Sequence, residues 1–269
     1  AGEPMVETGL TFLRREMRDG KIYYLVNHTP DDIDGLVTIG SPAASVLILD
    51  PLTGDTGEAR IMPRNGNTDV YLQVRPGQAF FIRTFDKRIE APAWEYMTEN
   101  GDPVELTGPW DVRFLSGGPR IPEDIRMQEL ESWTGFGRDA RAFSGTAKYS
   151  IQFENPDPVV DAWLLQLGDV RESARIWFNG EYLDCLWANP FELKLETLTA
   201  GTNTLEIEVT NLSANRLIDM ELSGREWKNF YEINMVNRHY ENFDARGWDP
   251  MPSGLLGKVR IIPLKTNNL

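Results

Sequence analysis

Apolar and polar residues alternate along most of this chain with a period of two, and the alternating runs are short. In TDVYLQV, residues 68–74, Val70, Leu72 and Val74 share one face and Tyr71 and Gln73 the other, because successive side chains of a strand point to opposite sides. Tyr149, Ile151 and Phe153 alternate in the same way through FSGTAKYSIQFEN. Similar runs (TGLTFLRRE, KIYYLVNHT, GLVTIG, ASVLILD, EARIMPR and QAFFIRTF) fill the first 85 residues, with turns at Asp19-Gly20 and Pro76-Gly77. Short strands, frequent turn chemistry and no helical period predict an antiparallel β-sandwich.

A second concentration of strands runs from Ala162 to Arg216. WLLQLG turns at Gly168-Asp169, and ARIWF stops at Asn179-Gly180, a dipeptide suited to the left-handed backbone of a tight hairpin. EYLDCLW then leads to Asn189-Pro190-Phe191, and Gly201 precedes TLEIEVTNL. The alternation predicts that Trp163, Leu165, Leu167, Ile176, Phe178, Leu205, Ile207 and Val209 are buried. SGLLGKVRIIPLK reads as a closing strand that pairs with an early strand of the same domain. Between the two concentrations, DKRIEAPAWEYMTENGDP changes to charges, prolines and a Gly-Asp-Pro turn, with a short helix near Trp94 to Met97. The expected organisation is therefore a sandwich over residues 1–90, a linker over 91–103 and a second β domain over 104–269. The stretch after Arg216, up to about Tyr240, is polar, aromatic and only partly periodic. It reads as a long loop or short helices over one end of the second sandwich.

Composition narrows the function. Of 269 residues, 41% are hydrophobic, enough for real cores, and the formal net charge is -14. That charge argues against a nucleic-acid partner, which needs phosphates neutralised by Lys and Arg. The single cysteine, Cys185, rules out an internal disulfide and a Cys-based zinc site, and its apolar neighbours Leu183, Leu186 and Trp187 predict a small buried hydrophobe. No run is long and apolar enough to span a bilayer. No signal peptide is visible, and the abrupt opening AGEPMVETGL suits a piece excised from a longer protein.

LGDVRESARIWFNGEYL, NPF and AGTNTLEIEVTNLSANR together resemble the sugar-binding jelly roll of glycoside hydrolases, a module similar to the galactose-binding-like fold. Gly108-Pro109-Trp110, ESWTGF, FSGTAKY and the Asn215-Arg216 pair widen the likeness, as do FLRRE, IYYLVNHT and LILDPLTG nearer the start. The combination resembles the C-terminal part of glycoside hydrolase family 106, the α-L-rhamnosidases, over nearly the whole chain. The resemblance implies an all-β chain of two antiparallel sandwiches, the second a galactose-binding-like jelly roll. It also implies a periplasmic or extracellular location, a catalytic barrel in the same parent polypeptide as partner, and rhamnose-containing plant or bacterial glycans. The family's catalytic acids lie in an N-terminal barrel whose alternating βα pattern is missing here, so no catalytic residue carries over.

The residues add their own constraints. A Ser or Cys nucleophile needs a nearby base, and the chain has only His28 and His239 and no GxSxG motif. A glycosidase needs two positioned carboxylates, and 41 acidic residues make candidate pairs uninformative. Sugar recognition needs aromatic faces and planar polar groups, which Trp187, Asn189, Asn215 and Arg216 supply near strand ends. Trp133, Phe136, Trp227, Tyr231 and Trp248 add loop aromatics. The same residues suit docking against the barrel, or purely structural roles: the tryptophans capping the core or an interdomain seam, Asn215 and Arg216 pinning a loop with Asp219 or Glu221. A structural calcium, common in galactose-binding-like modules, would draw on Asp31, Asp32 and Asp34 or on Asp55 and Glu58; neither group has EF-hand spacing, and a solvated acidic loop explains both. Three readings follow: a non-catalytic region of a larger glycoside hydrolase, a stand-alone carbohydrate-binding or adhesion module, and a small self-contained hydrolase.

Overall fold

Strand alternation becomes two layers wherever one face of each run is apolar. The structure, a computed structural model, describes residues 2–156, 160–229 and 236–266. It divides into two compact units, Ala1–Thr98 with Lys265–Leu269, and Glu99–Leu264. Both are all-β, and the described strand pairs run antiparallel.

The first unit holds β1 (Leu10–Met17), β2 (Gly20–Asn27), β3 (Ile33–Ile39), β4 (Ser45–Leu49), β5 (Thr56–Glu58), β6 (Ile61–Arg64), β7 (Asn67–Val74) and β8 (Ala79–Phe85). They form a five-stranded sheet, β1-β2-β8-β4-β5, and a three-stranded sheet, β3-β7-β6. Val70, Leu72 and Val74 of β7 are buried in one core with Leu25, Ile48 and Ile82 of the other sheet. Fully burying each such side chain is worth about 1.5–3 kcal/mol. On the opposite face of β7, the Tyr71 hydroxyl donates to Asp34 Oδ1 at 2.5 Å. Met17 pairs with Gly20, so the first hairpin turns on Arg18 and Asp19, one residue earlier than Asp19-Gly20.

Residues 92–97, read from the sequence as linker with a short helix, are extended and pack into this unit. Glu58 N–H donates to the Pro92 carbonyl, and Trp94 N–H to the Glu58 carbonyl. Tyr96 is fully buried; its hydroxyl donates to the Tyr71 carbonyl at 3.0 Å and accepts from Arg60 N–H at 3.1 Å. Trp94 and Tyr96 lie on either side of the exposed Glu95, an alternation like that of a strand, and burial of the aromatic face decides the conformation.

After β9 (Met97–Glu99) come β10 (Val104–Glu105), β11 (Trp110–Gly118), β12 (Ile125–Met127), α1 (Arg138–Ala142) and β13 (Ser144–Glu154). They are followed by β14 (Ala162–Gln166), β15 (Val170–Arg171), β16 (Ser173–Phe178), β17 (Glu181–Leu186), β18 (Glu192–Leu195) and β19 (Thr202–Thr210). α2 (Ala214–Leu222), β20 (Gly254–Leu255) and β21 (Arg260–Thr266) complete the fold. A six-stranded sheet, β12-β11-β13-β19-β16-β17, shares one core with the sheet containing β10-β21-β14-β18. Trp163, Leu165, Leu167, Ile176, Phe178, Leu205, Ile207 and Val209 all lie in that core. The closing strand β21 pairs with β10 through Val104 and Ile261. Asn179 and Gly180 both take positive φ in the β16–β17 turn, as the hairpin requires.

The stretch read as a long loop or short helices begins with one short helix, α2, packed against α1 and β13. One further feature differs from the sequence reading. Cys185 is half-buried rather than buried, because it sits on the edge strand β17 opposite the exposed Arg175.

Candidate functional site

A concave feature of the second unit lies between α1 and α2. Arg138, Arg141 and Ala142 fall three and four residues apart and so share one face of α1. Asn215, Ile218, Asp219 and Leu222 form one face of α2. With Ser223 and Pro250 they line a cleft of about 190 Å³. α2 ends in a Schellman motif: Arg225 N–H donates to the Met220 carbonyl, Gly224 N–H donates to the Glu221 carbonyl, and Gly224 has φ 65°. Just beyond it, Lys228 hydrogen-bonds Glu221 at 2.9 Å and holds that carboxyl below its usual range.

Asn215 builds one wall of the cleft. It is buried, and its Nδ2 donates to the Met251 carbonyl at 2.8 Å and to Ser253 Oγ at 3.1 Å. Met251 N–H returns a bond to Asn215 Oδ1 at 2.8 Å. An amide has two N–H donors, and both are used. Asn211 extends the network, donating to Ser253 Oγ at 2.9 Å and to the Phe143 carbonyl at 3.0 Å. Together these bonds tie the chain around Pro250 to the start of β13 and to α2. Arg216 pairs with Asp219 at 2.8 Å, three residues along the helix.

Trp187 and Asn189 lie elsewhere. Leu186, Ala174 and Val209 stand in one row across β17, β16 and β19, so Trp187 and α2 both leave the sheet at the same end. α2, however, packs on the β13 side of β19, whereas Trp187 follows the edge strand on the other side. Trp187 is 65% exposed and Asn189 is exposed. Of the four residues predicted from the sequence, the fold therefore brings Asn215 and, through its partner Asp219, Arg216 to the cleft, and leaves Trp187 and Asn189 on the open edge.

The loop aromatics divide in the same way. Trp133 is fully buried, with ring centroids 5.5 Å from Phe114 and 5.9 Å from Phe143. Trp227 and Trp248 both pack edge-on against Phe243, and Trp227 Nε1 donates to Glu221 at 2.9 Å. Phe136 is partly exposed, and Tyr231 lies outside the described residues.

Two groups of residues were missed at the sequence level. One is the cleft arginines, whose signal is the three-residue spacing in GRDAR after a glycine. The other is an aromatic and charged shelf on the outer face of the six-stranded sheet. There the Trp177 ring lies 5.3 Å from Tyr182, with Lys148 and Arg175 over it at 5.8 and 5.7 Å, and Arg175 pairs with Glu208 at 2.7 Å. Its signal is the outward parity of Trp177 on a strand whose other face is apolar.

Three of the five residues considered for calcium are engaged by protein groups. Asp34 accepts bonds from Tyr71 and Gln73, Asp32 faces Arg75 at 3.7 Å, and Glu58 accepts from Ser45 at 2.8 Å. Among the described residues, no three His, Cys, Asp or Glu side chains converge as a metal site.

The chain is all-β, in two compact units, with a cleft on a helical flank of the second. The chain is similar to a rhamnosidase from Novosphingobium sp. PP1Y, with a TM-score of 0.71 and 26% identity over 95% of this chain and 24% of that one. It is also 35% identical to a protein of Formosa agariphila named "Putative beta-glucuronidase", over 62% of this chain and 16% of that protein. No family model matches it. The chain thus resembles segments of glycoside hydrolases and spans about a quarter or less of their length. Among the described residues, no helix is long and apolar enough to cross a membrane.

Proposed function

We propose that this chain is the non-catalytic β-sandwich region of a larger, α-L-rhamnosidase-like glycoside hydrolase, and that it supports the catalytic barrel of the same polypeptide. The observation that carries this reading is the likeness to the Novosphingobium rhamnosidase, which runs through both units of this chain yet occupies only 24% of that protein. In this reading the two compact units are its two domains, the first ending near residue 98, and the second is of galactose-binding-like type. The parent acts in the periplasm or outside the cell on rhamnose-containing glycans of plant or bacterial origin.

The chemistry of the cleft agrees with a non-catalytic role. Glycosidases place two carboxyl groups about 5–9.5 Å apart across the scissile bond. The α1–α2 cleft supplies one carboxylate, Asp219, and Arg216 already neutralises it. In this account Trp187 and Asn189 on the open edge are the barrel-docking residues, while Asn215 and Arg216 hold the cleft wall. A second reading, a stand-alone carbohydrate-binding or adhesion module, draws on the Trp177–Tyr182 shelf, where Tyr182 is 53% exposed.

Expression of the natural polypeptide with and without residues 1–269 separates the two. The supporting role predicts that removal lowers the thermal midpoint of the remaining part and its rhamnosidase activity together. An unchanged midpoint and activity would leave only the second reading.

A further inference from the structure

We propose that the α1–α2 cleft binds a carboxylate-bearing monosaccharide of the uronate type through Arg138 and Arg141. Arg138 and Arg141 share one face of α1, line the cleft and are exposed. Among the described residues, neither side chain makes a hydrogen bond or ion pair. In a chain of net charge -14, two unpartnered arginines in one cavity are a local reversal of the surrounding field. Asp219, the acidic group of the cleft, does not cancel them, because Arg216 holds it at 2.8 Å. The cleft is therefore net cationic.

The rest of the lining selects the carrier of the negative charge. Ala142, Ile218, Leu222 and Pro250 form an apolar floor suited to the carbon face of a pyranose. At about 190 Å³ the space is smaller than the roughly 300–1,000 Å³ of drug-sized sites, which restricts the ligand to one ring. Guanidinium groups match carboxylates with paired, charge-assisted hydrogen bonds that an ammonium does not reproduce. Ser223 Oγ donates to the Met220 carbonyl at 3.2 Å and so presents its lone pairs as acceptors for a sugar hydroxyl. Asn215, with both donors committed, acts as a positioning residue that holds the Pro250 wall. The choice of a sugar as carrier rests on the glycoside-hydrolase reading; the charge of the site does not.

Titration calorimetry of the purified chain with sodium glucuronate and with glucose, at matched ionic strength, tests this directly. The two sugars differ at the carboxylate. Saturable glucuronate binding is expected, at least about tenfold tighter than glucose, and weakened about tenfold or more by Arg138→Ala or Arg141→Ala. Arg141→Lys should recover only part of the loss. Both arginines are exposed, so the variants should keep the parent's thermal midpoint, and Arg→Gln replacements serve where an alanine variant does not fold. Glucuronate binding no tighter than glucose, or binding that survives loss of both arginines, would overturn the assignment. Either result leaves the truncation experiment on the natural polypeptide unaffected, so the two readings fail separately.

Discussion

Asn215 and Met251 exchange two hydrogen bonds, each 2.8 Å: the side-chain amide donates to the Met251 carbonyl, and Met251 N–H donates back to Asn215 Oδ1. This reciprocal pair closes a loop of irregular chain onto α2 and sets the wall of the cleft. Asn215→Ala should therefore destabilise the protein, by about 1–3 kcal/mol for each buried group left unpaired. Denaturant unfolding measures this. Arg216→Ala, which breaks a partly exposed ion pair, should cost less than about 1 kcal/mol by the same measurement. Equal costs would mean that the Asn215 network is not what holds this wall.

The core of the second sandwich makes a larger demand. Ile176 is fully buried on β16, opposite Ile207 of β19. Ile176→Ala should cost about 2–5 kcal/mol, the range for large-to-small changes in a packed core. A loss of less than about 0.5 kcal/mol, the level of surface substitutions, would contradict the register.

Gly254 has φ 107°, and a Cβ there would come within 2.2 Å of Tyr149 Oη and 2.9 Å of Trp133 Cε3. Both neighbours are fully buried, so neither can swing aside. Gly254→Ala should destabilise by more than about 2 kcal/mol through backbone strain and overpacking together. Thermal unfolding of the single variant checks this.

Tyr149 links the same region to pH. Burial pushes its phenol well above the ordinary value of 10, and Leu255 N–H donates to its oxygen at 3.2 Å. The folded protein thus favours the neutral phenol, while the unfolded chain ionises it near pH 10. This contribution is complete below pH 10 and is lost as pH rises beyond it, at about 1.4 kcal/mol per pH unit. Tyr149→Phe should be less stable than the parent at neutral pH, because Leu255 N–H loses its partner. It should also show a shallower decline above pH 10. Parallel alkaline unfolding curves for the two proteins would exclude this role.

How much could be read in advance follows from where burial enforces a period. Val70, Leu72 and Val74, and Leu205, Ile207 and Val209, are strands in the sequence because one face of each is uniformly apolar. α2 is legible only as one alternative, a short helix in a stretch that could also be loop, and its bounds are not. Its buried residues are only Asn215 and Ile218, and one of the two is polar, so the helix lacks a uniformly apolar face; Asn215 is tolerated inside only because Met251 and Ser253 satisfy it. α1, at five residues, is too short to show any period. Trp187 and Asn215 looked alike as polar-aromatic loop residues near strand ends. What separates them is the tertiary partner of each, a buried network for Asn215 and open solvent for Trp187, and local sequence does not encode that.

The central claim is that this chain contributes structure, not chemistry, to a glycoside hydrolase. Its most direct test is the hydrolysis of an aryl α-L-rhamnoside by the purified 269-residue chain. The account predicts no turnover above the buffer rate, because the α1–α2 cleft offers a single, ion-paired carboxylate. Turnover that disappears on replacing one carboxylate of this chain would contradict it.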